Sequence, residues 1–191
     1  MRVDDVDPAT MSGEQRSLYE WYTTGRRASP DSPFQLATPD GKLQGPPAVW
    51  ILSPKFGQAL RKIGGAVRYE SELPARGREI AIILVGHHHR SAFELYAHTR
   101  AGLAAGLTPA DLDALAAGTP PEGLSDTEAA MFRATRAILE RGTLSDDEFR
   151  DTVDILGEPG LLELVTIVGY YNMVAWQLAV FDVRPPSGEG A

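Results

Sequence analysis

Apolar residues recur along most of this chain at the three-to-four-residue spacing of helices, and β-branched runs are short. Thr10 to Arg27 opens with the cap candidates Thr10 and Ser12 and carries Leu18, Trp21 and Tyr22 at helical spacing. Ser29 to Pro47 is rich in Pro, Gly, Asp and Ser and reads as a loop, long enough to cover something. Pro47 to Leu52 is a short helix or turn. Ser53-Pro54 starts a helix to about Tyr69, with proline at its favoured first position and a weak point at Gly64-Gly65. Arg76 to Gly86 is apolar nearly all round and so predicts a buried helix; the following His-His-His-Arg-Ser either continues or breaks it. Ala92 to Ala105 is the next, ended by Gly106. Thr108, Ser125 and Ser145 cap helices over 109–116, 126–141 and 146–156, the last two with a glutamate three residues on that completes a capping box. Gly157 stops the third, and Pro159 to about Asp182 is a long final helix. The pattern predicts an all-α fold: an N-terminal helix and loop extension over 1–45, a helical domain over 46–183, and a disordered tail over 184–191.

Composition narrows the function. The 191 residues are 43% hydrophobic and 23% charged, enough for one domain with a sizeable core. A net charge of -8 argues against nucleic acid or an anionic membrane as partner. No apolar run is long enough to span a bilayer, and the polar N-terminus lacks the features of a signal peptide, so a cytoplasmic location is expected. The chain has no cysteine. Thiolate nucleophiles, disulfides and dithiol redox cycles are therefore excluded, and any metal would need His, Asp and Glu.

The chemistry concentrates in residues 78–108. Glu79, His87, His88, His89, Arg90, Glu94 and His98 interrupt an otherwise apolar stretch, and ionisable groups are costly to bury unless paired or used. Glu94 and His98 are four apart and share a helix face, an arrangement suited to general acid/base work or to a plain surface pair. If the helix runs on through the histidines, His87, Ser91, Glu94 and His98 fall on one face, and two histidines with a glutamate could hold a metal. Glu79 needs a partner: a histidine, a group on a facing helix, or an arginine such as Arg76 or Arg78. Arg90 beside Ser91 could clamp a carboxylate, or simply cap a helix end.

These residues resemble the carboxymuconolactone decarboxylase family, whose fold is the alkylhydroperoxidase D-like helical bundle. The pattern that carries the resemblance is Arg78-Glu79-Ile80, Val85-Gly86, Arg90-Ser91-Ala92-Phe93-Glu94, His98 and Ala105-Gly106-Leu107-Thr108. It continues in Ala110-Asp111-Leu112, Glu163-Leu164-Val165 and Gly169-Tyr170-Tyr171, with Gly45-Pro46 and Ser53-Pro54 upstream, and covers about residues 43–183. In the redox branch of that family a Cys-x-x-Cys precedes the histidine; here those positions hold Ser91 and Glu94, so a peroxidase cycle cannot run.

The resemblance implies a cofactor-free decarboxylase or isomerase of a small carboxylated or lactone metabolite, without metal, assembling as a trimer or hexamer. His98 would donate the proton, Glu94 would orient it and Glu79 would complete the catalytic set. Arg90, Ser91 and His87 would bind the substrate, with Arg90 as its carboxylate clamp. The rival expectations are a metal-dependent enzyme using His87, Glu94 and His98, and a non-catalytic member in which the same groups form a structural network.

Overall fold

The computed structural model describes residues 1–24 and 28–186. Among them are eight α-helices, joined by turns and one long loop. α1 is Gly13–Thr24, α2 Pro46–Trp50, α3 Pro54–Tyr69, α4 Ala75–His89 and α5 Ala92–Ala104; α6 is Pro109–Ala116, α7 Asp126–Arg141 and α8 Asp146–Val180. The all-α expectation holds, and most borders fall within a residue or two of those read from the pattern. The predicted end of the first helix, at 25–27, lies outside the described residues, as does 187–191 of the predicted tail.

α4 is the centre. Ile80 to Val85 are all buried, as expected of a helix apolar on every side, and α5, α7 and α8 pack around it. α8 is two helices joined at Gly157, as the pattern predicts: at φ 71° and ψ 165° the glycine backbone is non-helical, and Pro159 opens the second helix, where its missing N–H does no harm. The predicted capping boxes at Ser125–Glu128 and Ser145–Glu148 both form, and Thr108–Asp111 makes a third.

The N-terminal stretch is not an appendage on a finished bundle. Leu18, Tyr22, Phe34 and Leu36 are buried in the same apolar cluster as Ile82 and Val85 of α4 and Tyr171 of α8. The loop before α2 is pinned by a bridge between Ala37 and Leu43 and by a hydrogen bond from the Tyr19 hydroxyl to the Gly41 carbonyl, 2.9 Å. Gly45 makes the final turn at φ 64°, where a β-carbon would lie 2.2 Å from the Phe93 ring. The loop is thereby laid across α5, and Trp50 donates from Nε1 to Gln177 on α8 at 2.8 Å.

Candidate active site

α4 ends in a Schellman turn. Arg90 adopts the left-handed conformation at φ 51°; its N–H bonds to His87 O and that of Ser91 to Gly86 O. This break decides the fate of the histidine run. A continuous helix would align His87 with Glu94 and His98; here α5 leaves in a new direction. His87 is half-buried and lies off the cavity described below, and burial lowers its pKa. His88 is exposed, and His89 meets Asn172 Oδ1 through Nε2 at 2.5 Å. Arg90 is exposed and also off the cavity, so it does not reach the groups it was expected to serve. No three His, Asp or Glu side chains among the described residues are grouped as a metal would need. The metal expectation fails on this geometry.

α5 begins at Ser91-Ala92-Phe93-Glu94, which is itself a capping-box sequence. Unlike Thr108–Asp111, Ser125–Glu128, Ser145–Glu148 and also Ser12–Gln15 at the start of α1, it does not cap. The Ser91 N–H is already taken by the turn, and neither the serine nor the glutamate makes the reciprocal bonds. The Glu94 carboxyl is freed from the helix end and lines an interior cavity. It is 2% exposed, and neither oxygen has a hydrogen-bond partner. Burial pushes its pKa up to about 8, with only the nearby Ser91 hydroxyl opposing the rise. Glu94 is thus an uncharged acid at neutral pH. Ser91 Oγ is buried too, and its contact with Glu94 falls short of hydrogen-bond geometry.

His98 sits one turn further along α5, 5% exposed. Its partner is not Glu94, as expected, but Glu79 on α4: His98 Nδ1 donates to Glu79 Oε2 at 2.8 Å. The arginines that could have claimed Glu79 are otherwise engaged. Arg76 pairs with Glu128 and Asp111 at 2.9 and 3.3 Å, and Arg78 donates to the Leu73 carbonyl. The Glu79 bond fixes the imidazole tautomer and leaves Nε2 as the nitrogen available for chemistry. The rings of Tyr171 and Phe34, with centroids 4.8 and 5.9 Å away, hold the imidazole in place.

The cavity beside these groups measures about 40 Å³, room for several waters. Its polar wall is Glu94, His98 and Arg68. Its apolar wall comes from Phe34, Leu36 and Pro47 of the loop side, Trp50 of α2 and Val174 of α8. Phe34, Arg68 and His98 also face a second, outer hollow of about 500 Å³, which Glu79 and Arg78 line. His98 therefore stands in the partition between a small, mostly apolar cavity and a larger outer hollow.

Arg68 had no mark in the sequence: it is one of several basic residues on an amphipathic helix. The nearest signal was Gly64, one turn earlier. A β-carbon there would lie 2.5 Å from the Tyr170 hydroxyl and 2.9 Å from an Arg68 nitrogen, so glycine is what lets the guanidinium fold inward. Tyr171, whose buried phenol has a raised pKa, accepts from Arg68 Nη1 at 3.3 Å.

With this geometry in view, comparison with known proteins places the fold. Residues 54–137 match the model of the carboxymuconolactone decarboxylase family. No curated protein matches the chain. Among solved structures, an uncharacterized peroxidase-related protein with an alkylhydroperoxidase AhpD core from Ralstonia eutropha superposes with a TM-score of 0.77 at 12% identity, covering 97% of this chain and 92% of that one. The debrominase Bmp8, a cysteine-to-alanine variant in complex with 2,3,4-tribromopyrrole, does so with a TM-score of 0.72 at 9% identity, covering 98% and 92%. A protein of unknown function from Agrobacterium tumefaciens gives 0.64 at 16% identity, over 72% and 94%. Over residues 54–137 the chain is similar to the carboxymuconolactone decarboxylase family, and its fold is the AhpD-like helical one, without a cysteine.

Proposed function

We propose that the protein is a cofactor-free acid/base enzyme acting on a small carboxylated or lactone metabolite by decarboxylation or isomerisation. The observation that carries this reading is the pairing of unlike groups in one mostly apolar cavity. A carboxyl that stays protonated, Glu94, lies beside an imidazole whose tautomer is set by Glu79. A proton donor and a proton acceptor held side by side are the requirement for moving a proton in both directions at one pH.

For decarboxylation, the bond between the carboxylate carbon and its neighbour breaks. Carbon dioxide leaves, and the electron pair delocalises into the conjugated carbonyl. Glu94 delivers its proton to the carbon that lost the carboxylate, and a solvent proton, entering from the outer hollow and taken up at the free His98 Nε2, is passed through the cavity to restore the Glu94 carboxyl. For isomerisation, His98 removes a proton and Glu94 replaces it elsewhere on the same conjugated system. The apolar wall favours both, because charge that spreads over a substrate is stabilised relative to charge that is localised. No thiol enters any step.

The roles differ from those expected of the sequence. Glu94 becomes the donor and Glu79 the orienting group, while Arg90 and His87 have no part. The test is release of carbon dioxide from an unsaturated lactone carrying a single carboxylate, with exchange of solvent deuterium into unsaturated lactones as the isomerase readout. Glu94→Gln and His98→Asn should each lower turnover at least a hundredfold with unchanged helical circular dichroism. Full activity in both variants ends the reading.

A further inference from the structure

The Arg68 guanidinium has no anionic partner. Its one side-chain hydrogen bond is to a neutral phenol, Tyr171, and its Nε is cut off from solvent with no acceptor at all. The groups that act on it electrostatically are phenols, Tyr22, Tyr69, Tyr170 and Tyr171, and no carboxylate is among them. Every other arginine held inside this fold is paired or bonded to carbonyls: Arg76 has two carboxylates and Arg78 a backbone oxygen. A half-buried cation whose Nε is cut off from water and left without a counter-ion is costly to hold, and guanidinium cannot escape by losing its proton. Glu94 faces the same cavity but is held neutral by its own burial, so it does not supply the missing charge.

We propose that Arg68 is the anion-binding residue of the cavity, and that the ligand it awaits is a small planar monoanion bearing a carboxylate or an enolate on an otherwise apolar frame. This rests on the acid/base reading for its placement in a catalytic cycle, and it deepens that reading by naming the charge of the substrate. Nε and the Nη groups offer the parallel donors that a carboxylate accepts in bidentate fashion. The aromatic and proline wall matches a flat, unsaturated body, and the chamber holds no second cation to match a dianion. The neutral acid Glu94 adds no repulsion to an incoming anion. The guanidinium also remains as counter-ion when charge moves from a departing carboxylate into the conjugated system.

The experiment uses 2-furoate as probe and 2-furamide as its neutral match in shape, with the intact protein and no turnover. In a nitrogen–proton correlation spectrum, the Arg68 Nε–H resonance, assigned by its loss in Arg68→Lys, should move downfield with 2-furoate and stay put with 2-furamide. Arg68→Met should bind 2-furoate at least tenfold more weakly, with Trp50 fluorescence as the second readout, and Arg68→Lys should recover part of the loss. Arg68→Met should also melt no lower than the parent, because it removes an uncompensated buried charge. Should that variant fail to fold, the Nε–H titration decides alone. Equal response to furoate and furamide, no binding of furoate at millimolar concentration, or parent-like affinity in Arg68→Met overturns the proposal. Binding that persists in Glu94→Gln separates the two readings: an anion site without proton chemistry would survive failure of the turnover test, and the reverse also holds.

Discussion

Replacing Glu94 by glutamine should make this protein more stable, and more so as the pH rises. Burial raises the carboxyl from 4.5 to about 8, so the folded chain keeps this proton over a range where the unfolded chain has lost it. Stability falls with rising pH wherever the folded state binds more protons. The loss therefore begins above pH 4.5, grows by about 1.4 kcal/mol per pH unit, and is complete above pH 8. Its full size is on the order of 5 kcal/mol, and at pH 7 it amounts to roughly 3 kcal/mol. Glutamine has the same shape and no such proton. Urea unfolding of both proteins at a series of pH values from 5 to 9 isolates the term, since every other titrating group cancels in the difference. The two should be nearly equal at pH 5 and diverge steadily to pH 8, with Glu94→Gln the more stable. Parallel curves would refute the reasoning, because they would mean that Glu94 is ionised and compensated in the folded state.

Two further outcomes follow from the packing. Gly45→Ala should destabilise by about 2–4 kcal/mol, measured by thermal melting, because it combines a left-handed backbone with a β-carbon inside the Phe93 ring; a loss under about 0.5 kcal/mol would show that the loop is not held against α5. Arg76→Met should cost about 2 kcal/mol and sharpen no activity, since it strands Asp111 and Glu128. Both carboxyls are held below their usual range, by the Thr108 N–H and Arg76 for Asp111, and against burial by Ser125 and Arg76 for Glu128. The parent should accordingly lose this contribution as pH falls through those lowered values, and Arg76→Met should be the less acid-sensitive of the two.

The helices were legible because their signals are local. Caps at Thr108, Ser125 and Ser145, a proline at position 54 and a glycine at 106 each act within a turn of themselves. The site was half legible. Glu79, Glu94 and His98 drew notice as charges in an apolar run, but their partnerships depend on how α4 and α5 cross after the turn at Arg90. That turn uses a non-glycine residue in a left-handed conformation, which no spacing rule announces. The capping-box sequence that forms no box, Ser91 to Glu94, was the overlooked sign: a residue set that satisfies a local rule and then declines to follow it marks a place where tertiary demands prevailed. Arg68 carried no comparable sign, because an exposed-looking basic residue on an amphipathic helix becomes a buried one only through the space at Gly64.

The strap that precedes α2 has a consequence for how such proteins diversify. The proton-handling residues and Arg68 all sit in the stretch matched by the family, 54–137, whereas Phe34, Leu36, Pro47, Trp50, Tyr171 and Val174 lie outside it. On the proposed acid/base reading, the flanking chain would set which molecules fit and the common segment the chemistry. Exchanging the flanks between relatives should then redirect which molecules are accepted while leaving Glu94 and His98 in place.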